Sequence, residues 1–127
     1  GKTIAVLGLT FKPNTDDMRD SPSLDIVPAL QEAGAAVRAY DPVGMKEAAA
    51  ILKNVDYSEG PYQALEGADA VVIITEWDEF RALDINRVKE LMNAPVMIDL
   101  RNIYRPREMA ERGIEYYSIG RPNEIFI

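Results

Sequence analysis

The chain contains no cysteine and no histidine. Their absence removes disulfides, thiolate nucleophiles, Cys/His zinc sites and every Ser–His or Cys–His catalytic arrangement. Any chemistry must come from carboxylates, lysine, arginine and hydroxyls. Positive charge is also scarce: 14 Lys+Arg stand against 21 Asp+Glu, a net charge of −7. General nucleic-acid binding needs a basic face to neutralise phosphates, and no Lys/Arg cluster is present to build one. An anionic ligand must therefore be held locally. No apolar run exceeds the length of a strand, which excludes a membrane-spanning helix of about 20 residues. Residues 1–9 carry one Lys and no cleavage-type pattern, which argues against a signal peptide, and a cytoplasmic location is the expectation.

What remains is an ordinary globular composition, 47% apolar and 28% charged over 127 residues. Such a length suits one domain, the usual size being roughly 100–150 residues. No repeat, low-complexity segment or linker divides it, so a single domain over residues 1–127 is expected. The chain opens at Gly1 without Met and enters an apolar run within three residues, which suggests a domain taken from a longer protein.

Short apolar runs alternate with helical patterns. Residues 4–9, 35–40, 55–57, 70–74, 95–98 and 115–119 read as strands, with 70–74 the most β-branched and therefore central, and 55–57 an edge. Between them, residues 22–33, 45–52, 62–65, 86–92 and 106–112 read as helices, and 76–80 as a turn. Ser21-Pro22 gives the first helix an N-cap followed by Pro, while Pro28 inside its apolar stripe should kink it or delay its start. The pattern predicts an α/β fold, a Rossmann-like, doubly wound, mostly parallel six-stranded sheet with helices on both faces.

Ligands of such sheets bind beyond the carboxyl ends of the strands. Residues 8–20, Asp41, Thr75-Glu76-Trp77 and Asp99-Leu100-Arg101 occupy those ends. The connection after the first strand is long against the usual length of about 2–6 residues. Its cations, Lys12 and Arg19, together with free N–H groups of the following helix, could hold a phosphate; equally, they could pair with Asp16, Asp17 and Asp20 to hold the loop's shape. Asp16 and Asp17 suggest dipole partners or turn formers more than a hard-metal site. Asp41-Pro42 reads as a strand-ending turn and Trp77 as a packed anchor. Arg101, just past a buried strand, lies on the ligand-binding edge. A dinucleotide fingerprint is disfavoured, because Thr10 and Pro13 stand where G-x-G-x-x-G needs its second and third glycines after Gly8.

The run Gly8-Leu9-Thr10-Phe11-Lys12-Pro13-Asn14-Thr15-Asp16-Asp17-Met18-Arg19-Asp20-Ser21-Pro22-Ser23 closely resembles the start of the C-terminal, UDP-binding domain of the UDP-glucose/GDP-mannose dehydrogenase family. Tyr40-Asp41-Pro42, Ala68-Asp69-Ala70, Thr75-Glu76-Trp77 and Asp99-Leu100-Arg101-Asn102 follow in the same order. Thr75-Glu76-Trp77 with Phe80 is most similar to the family's bacterial UDP-glucose 6-dehydrogenase branch, and the UDP-N-acetylsugar branch shares much of the Phe-Lys-Pro loop. The resemblance implies an enzyme that oxidises UDP-glucose to UDP-glucuronate in two NAD-dependent steps. It places the catalytic Cys, the NAD fingerprint and the dimer-forming helix in an N-terminal portion absent here.

The chain alone is then expected to be inactive, with no catalytic residue and no metal, to bind a UDP-sugar together with the rest of the enzyme chain, and to belong to a homodimer at full length. Phe11, Lys12 and Arg101 match the family's substrate-facing positions, and Thr15, Asp17 and Arg19 match positions that shape the loop. The alternatives are a dehydrogenase of another nucleotide sugar, UDP-N-acetylhexosamine or GDP-mannose, and a stand-alone nucleotide-binding module.

Overall fold

The computed structural model describes residues 1–119. Its elements are β1 (Thr3–Leu7), α1 (Ser23–Glu32), β2 (Ala36–Tyr40), α2 (Met45–Ala49), β3 (Val55–Tyr57), α3 (Pro61–Leu65), β4 (Ala70–Ile73), α4 (Asp78–Arg81), α5 (Ile85–Leu91), β5 (Val96–Asp99), α6 (Pro106–Glu111) and β6 (Glu115–Ser118). The apolar tail Ile125-Phe126-Ile127, a candidate packing segment by sequence, lies outside the described residues.

The strands form one sheet in the order β3-β2-β1-β4-β5-β6, every neighbouring pair parallel. The chain winds from β1 outward to β3 and then returns to lay β4 against the other side of β1. The order therefore reverses between β1 and β4, and the loops leaving their carboxyl ends diverge there, which opens the crevice typical of doubly wound sheets.

Covering both faces explains the continuous apolar runs. Ala5 and Leu7 of β1, Val71 and Ile73 of β4 and Met97 of β5 enter a core completed by Leu65, Phe80, Val88 and Met109 from α3 to α6. The alternate residues Val6 and Val72, with Val37 and Ala39 of β2, enter a second core against Val27 of α1 and Ala48 of α2. This is the period-two alternation of a strand. Each fully buried Leu, Ile, Val or Phe contributes about 1.5–3 kcal/mol of transfer free energy, so the sheet is a rigid base for its edge.

Local differences from the sequence reading are small. Helix α1 continues through Pro28 instead of starting after it. Pro28 is exposed, so its ring and the lost donor fall on the outer side of the helix while Val27 keeps the packed face. Residues 76–80, read as a turn, contain the start of the one-turn helix α4. Four residues are too few for a helical periodicity to register.

Candidate functional site

The site is built at the carboxyl edge of β1, β2, β4 and β5. Gly8 leaves β1 at φ +91°, and a Cβ placed on it would lie 2.6 Å from both Cβ and N of Thr75. Only glycine allows the β1 and β4 ends to approach this closely. Thr75 is completely buried and donates its hydroxyl to the carbonyl of Thr10 at 2.6 Å. The start of the loop is thus tied to the end of β4 across 65 positions of sequence.

Asp41 is the second tie. Fully buried at the end of β2, it accepts on Oδ2 from the backbone N–H groups of Leu9 (2.8 Å) and Thr10 (3.2 Å), the Thr10 hydroxyl (3.3 Å) and the Trp77 indole (3.2 Å). Oδ1 accepts from Val43 N (3.0 Å) and Gly44 N (2.7 Å). The sequence reading of a strand-ending turn covers only the Oδ1 pair. The Oδ2 donors come from residues 31 to 36 positions away, which no local pattern reveals. Trp77 is the expected packed anchor, 7% exposed, with its one donor spent on Asp41.

On this base, residues 8–22 form an ordered loop. Phe11 N donates to Asp17 O at 2.9 Å, and Thr15 Oγ1 accepts from Asp17 N at 3.2 Å. Met18 is buried beneath. Arg19 closes the loop as a fork, Nε to Asp17 Oδ1 at 3.0 Å and Nη2 to Oδ2 at 2.9 Å, with its backbone N–H on Oδ1 at 2.9 Å. The Arg19 hydrogen bonds hold the Asp17 carboxyl at a pKa of about 2, and Asp17 in turn raises the guanidinium's.

Ser21 and Ser23 both donate to the carbonyl of Leu9, at 2.6 and 2.7 Å. The helix that follows does not offer the free N–H groups expected from the sequence. Ser23 N is taken by Ser21 Oγ, Leu24 N by Ser21 O and Asp25 N by Pro22 O. An anion at this edge must be met by side chains.

The two loop cations therefore separate. Arg19 is committed to Asp17, whereas the Lys12 side chain is exposed and its ammonium has no hydrogen bond or ion pair among the described residues. Beside it Phe11 is 46% exposed, an unusual position for an aromatic ring. Thr15, Asp17 and Arg19 line a different feature, an open groove of about 740 Å³ between the loop and α2, floored by Met18 and Leu24 and rimmed by Glu47 and Ile51.

A second buried acid, Asp99 at the end of β5, shapes the turn that carries Arg101. It accepts from Arg101 N (3.0 Å), Ile103 N (2.8 Å), Tyr104 N (3.2 Å) and the Tyr116 hydroxyl (2.5 Å). The Arg101 side chain reaches Glu76, Nε and Nη2 both donating to Oε2 at 2.8 and 2.6 Å. Lys12 and Arg101 thus stand on the same sheet edge, linked through Thr10, Thr75 and Glu76. Thr10, Thr75, Asp41 and Asp99 were readable as edge residues, but their structural work depends on contacts between distant segments.

The description of a UDP binding domain in the UDP-glucose/GDP-mannose dehydrogenase family matches residues 5–106. The chain belongs to this family. It is 59% identical over 123 residues to UDP-glucose 6-dehydrogenase of Rhizobium meliloti (strain 1021), a match covering 97% of this chain and 28% of that protein. With UDP-glucose 6-dehydrogenase TuaD of Bacillus subtilis (strain 168), identity is 50% over 123 residues, covering 96% and 27%.

Among solved structures, NDP-N-acetyl-D-galactosaminuronic acid dehydrogenase from Methanosarcina mazei Go1 superposes with a TM-score of 0.82 at 30% identity, covering 95% of this chain and 25% of that one. A UDP-glucose dehydrogenase from Pyrobaculum islandicum gives 0.75 at 34% identity, covering 94% and 25%. The chain thus spans little more than a quarter of the length of the curated relatives it matches.

The first βα turn of this chain offers no open backbone cradle for a dinucleotide. Thr75 fills the space beside Gly8, and the Ser21 and Ser23 hydroxyls and first-turn N–H groups are consumed internally. No group of three or more potential metal ligands occurs among the described residues, and no helix among them is long and apolar enough to cross a membrane.

Proposed function

We propose that this chain is the C-terminal, UDP-sugar-binding domain of an NAD-dependent UDP-glucose 6-dehydrogenase, which oxidises UDP-glucose to UDP-glucuronate. The observation that carries the reading is the exposed Phe11-Lys12 pair, an ammonium with no hydrogen bond or ion pair among the described residues beside an exposed aromatic ring, on a loop pinned by Asp41 and Thr75. A diphosphate is an anion, and on a protein of net charge −7 its attraction must be local. Lys12 supplies a point charge and Arg101 a directional fork for phosphate or sugar oxygens. Phe11 offers an apolar face at the same edge. Thr15, Asp17 and Arg19 keep the loop in the form that presents them.

NAD supplies the hydride acceptor and is held mainly by the remainder of the enzyme. This chain's part is to bind and orient the nucleotide sugar. A site shared between two domains lets substrate draw them together and exclude water. The full-length protein is proposed to be a cytoplasmic homodimer, and this domain alone to be inactive.

The identity to UDP-glucose 6-dehydrogenases over nearly the whole chain supports glucose over the N-acetylhexosamines. In the full-length enzyme, Lys12→Ala and Arg101→Ala should each raise KM for UDP-glucose about 10–100-fold, as expected for a charge-assisted contact. Unchanged kinetics in both variants would remove the site assignment. Faster turnover of a UDP-N-acetylhexosamine or of GDP-mannose would replace the substrate.

A further inference from the structure

Thr75, Glu76 and Trp77 are consecutive, and their side chains reach three different loops. Thr75 bonds the carbonyl of Thr10, Trp77 bonds the carboxylate of Asp41, and Glu76 bonds the guanidinium of Arg101. The outer two are buried and fix the backbone of Glu76 between them. The backbone of Arg101 is fixed independently by Asp99, itself anchored by the Tyr116 hydroxyl. Only the long Arg101 side chain would be left free, and Glu76 takes up that freedom.

Among the described residues the pair differs from the other ion pairs: Arg19–Asp17 is also short, at 2.9 Å, but its Arg19 side chain is 88% exposed. Arg38–Asp56, Arg81–Asp78, Arg107–Glu111 and Arg112–Glu108 lie at 3.5–3.9 Å, each with at least one partner's side chain more than half exposed. Arg101–Glu76 closes to 2.6 Å, with side chains 35% and 24% exposed, and two donors converge on one oxygen. A pair this open to water adds little to stability. What it does is select one orientation of a side chain rich in rotamers, leaving the remaining guanidinium donors to point elsewhere. Holding a binding group in its productive pose before ligand arrives removes an ordering cost from binding.

We infer that Glu76 is a positioning residue for nucleotide-sugar binding, acting through Arg101. The inference rests on the proposed function, which puts Arg101 at the substrate. Glu76 does not touch the substrate; it sets the direction from which Arg101 does. The effect falls on binding, because hydride transfer is carried by groups in the rest of the enzyme.

The test is a double-mutant cycle in the full-length dehydrogenase, with steady-state kinetics in UDP-glucose at saturating NAD. Glu76→Gln, which keeps the shape and loses the charge, is expected to raise KM about tenfold with kcat within about twofold, the size of coupling common between contacting residues. In an Arg101→Ala background, Glu76→Gln should change KM no further. Thermal melting of each variant separates this from unfolding, and Glu76→Ala provides a second route should Gln retain the hydrogen bond.

If Arg101→Ala is impaired but both Glu76 variants keep the wild-type KM, the inference is overturned and the site stands. Losses that multiply independently in the double variant also overturn it, since they assign Glu76 a general structural role. If Arg101→Ala itself binds substrate normally, the site reading fails and takes the inference with it.

Discussion

Replacing Asp41 by Asn changes no shape and yet should destabilise the domain severely. The carboxylate accepts four hydrogen bonds on Oδ2 and two on Oδ1. An amide has one acceptor oxygen, so its NH2 must face one of these sets of donors. The lesser loss sets it against Val43 N and Gly44 N, of which Gly44 is buried. Each buried donor left unsatisfied costs about 1–3 kcal/mol. One fully buried and one partly buried donor, together with donor–donor repulsion, give a loss of about 2–4 kcal/mol. With a urea slope of about 2 kcal/mol per molar, the unfolding midpoint should fall by about 1–2 M at unchanged slope. Equilibrium urea unfolding followed by Trp77 fluorescence measures it directly, because the sole tryptophan is itself bonded to Asp41. A midpoint shift under about 0.3 M would show that the six contacts do not depend on the carboxylate charge, and the account of the edge would be wrong.

Other outcomes follow from the same geometry. Lys12→Ala should leave the urea midpoint within experimental error, because the side chain is exposed and makes no hydrogen bond or ion pair among the described residues, while impairing substrate use in the full-length enzyme. Gly8→Ala places a methyl 2.6 Å from Thr75 at φ +91°, and overpacking plus backbone strain should cost about 2–4 kcal/mol in the same unfolding assay; a loss below about 1 kcal/mol would refute the close-approach argument. Asp17 has a depressed pKa, so its contribution is complete above the ordinary value of 3.8 and is lost as pH falls through about 2. A carboxyl NMR titration should give a midpoint near 2 for Asp17 and a return toward ordinary Arg19 mobility at the acid end; a midpoint near 3.8 contradicts the fork.

Six strands and their central member could be read from short apolar runs because both faces of the sheet are covered, so burial does not depend on register. The same cover hides the order of strands, which emerges from long-range pairing and the parallel rule together. At the site, Lys12 and Arg101 stand out as cations at strand ends, and the resemblance supplies their roles. Neither Asp41's four remote donor bonds nor the reach of Glu76 to a residue 25 positions away has a local signature. An acid followed by proline after a strand looks like a turn, and it is one; the second oxygen does the rest. The expectation of free N–H groups at α1 failed for a related reason, since Ser21 and Pro22 supply acceptors from inside the loop.

The central claim is that this domain supplies part of the nucleotide-sugar site of a dehydrogenase. It is tested most directly by measuring UDP-glucose-dependent NADH formation by the full-length enzyme carrying this domain, beside its Lys12→Ala and Arg101→Ala variants. The account predicts activity in the parent and a KM for UDP-glucose raised about tenfold or more in each variant, with kcat much less affected. A correctly folded parent with no UDP-glucose-dependent activity, or variants with the parent's KM, would contradict it.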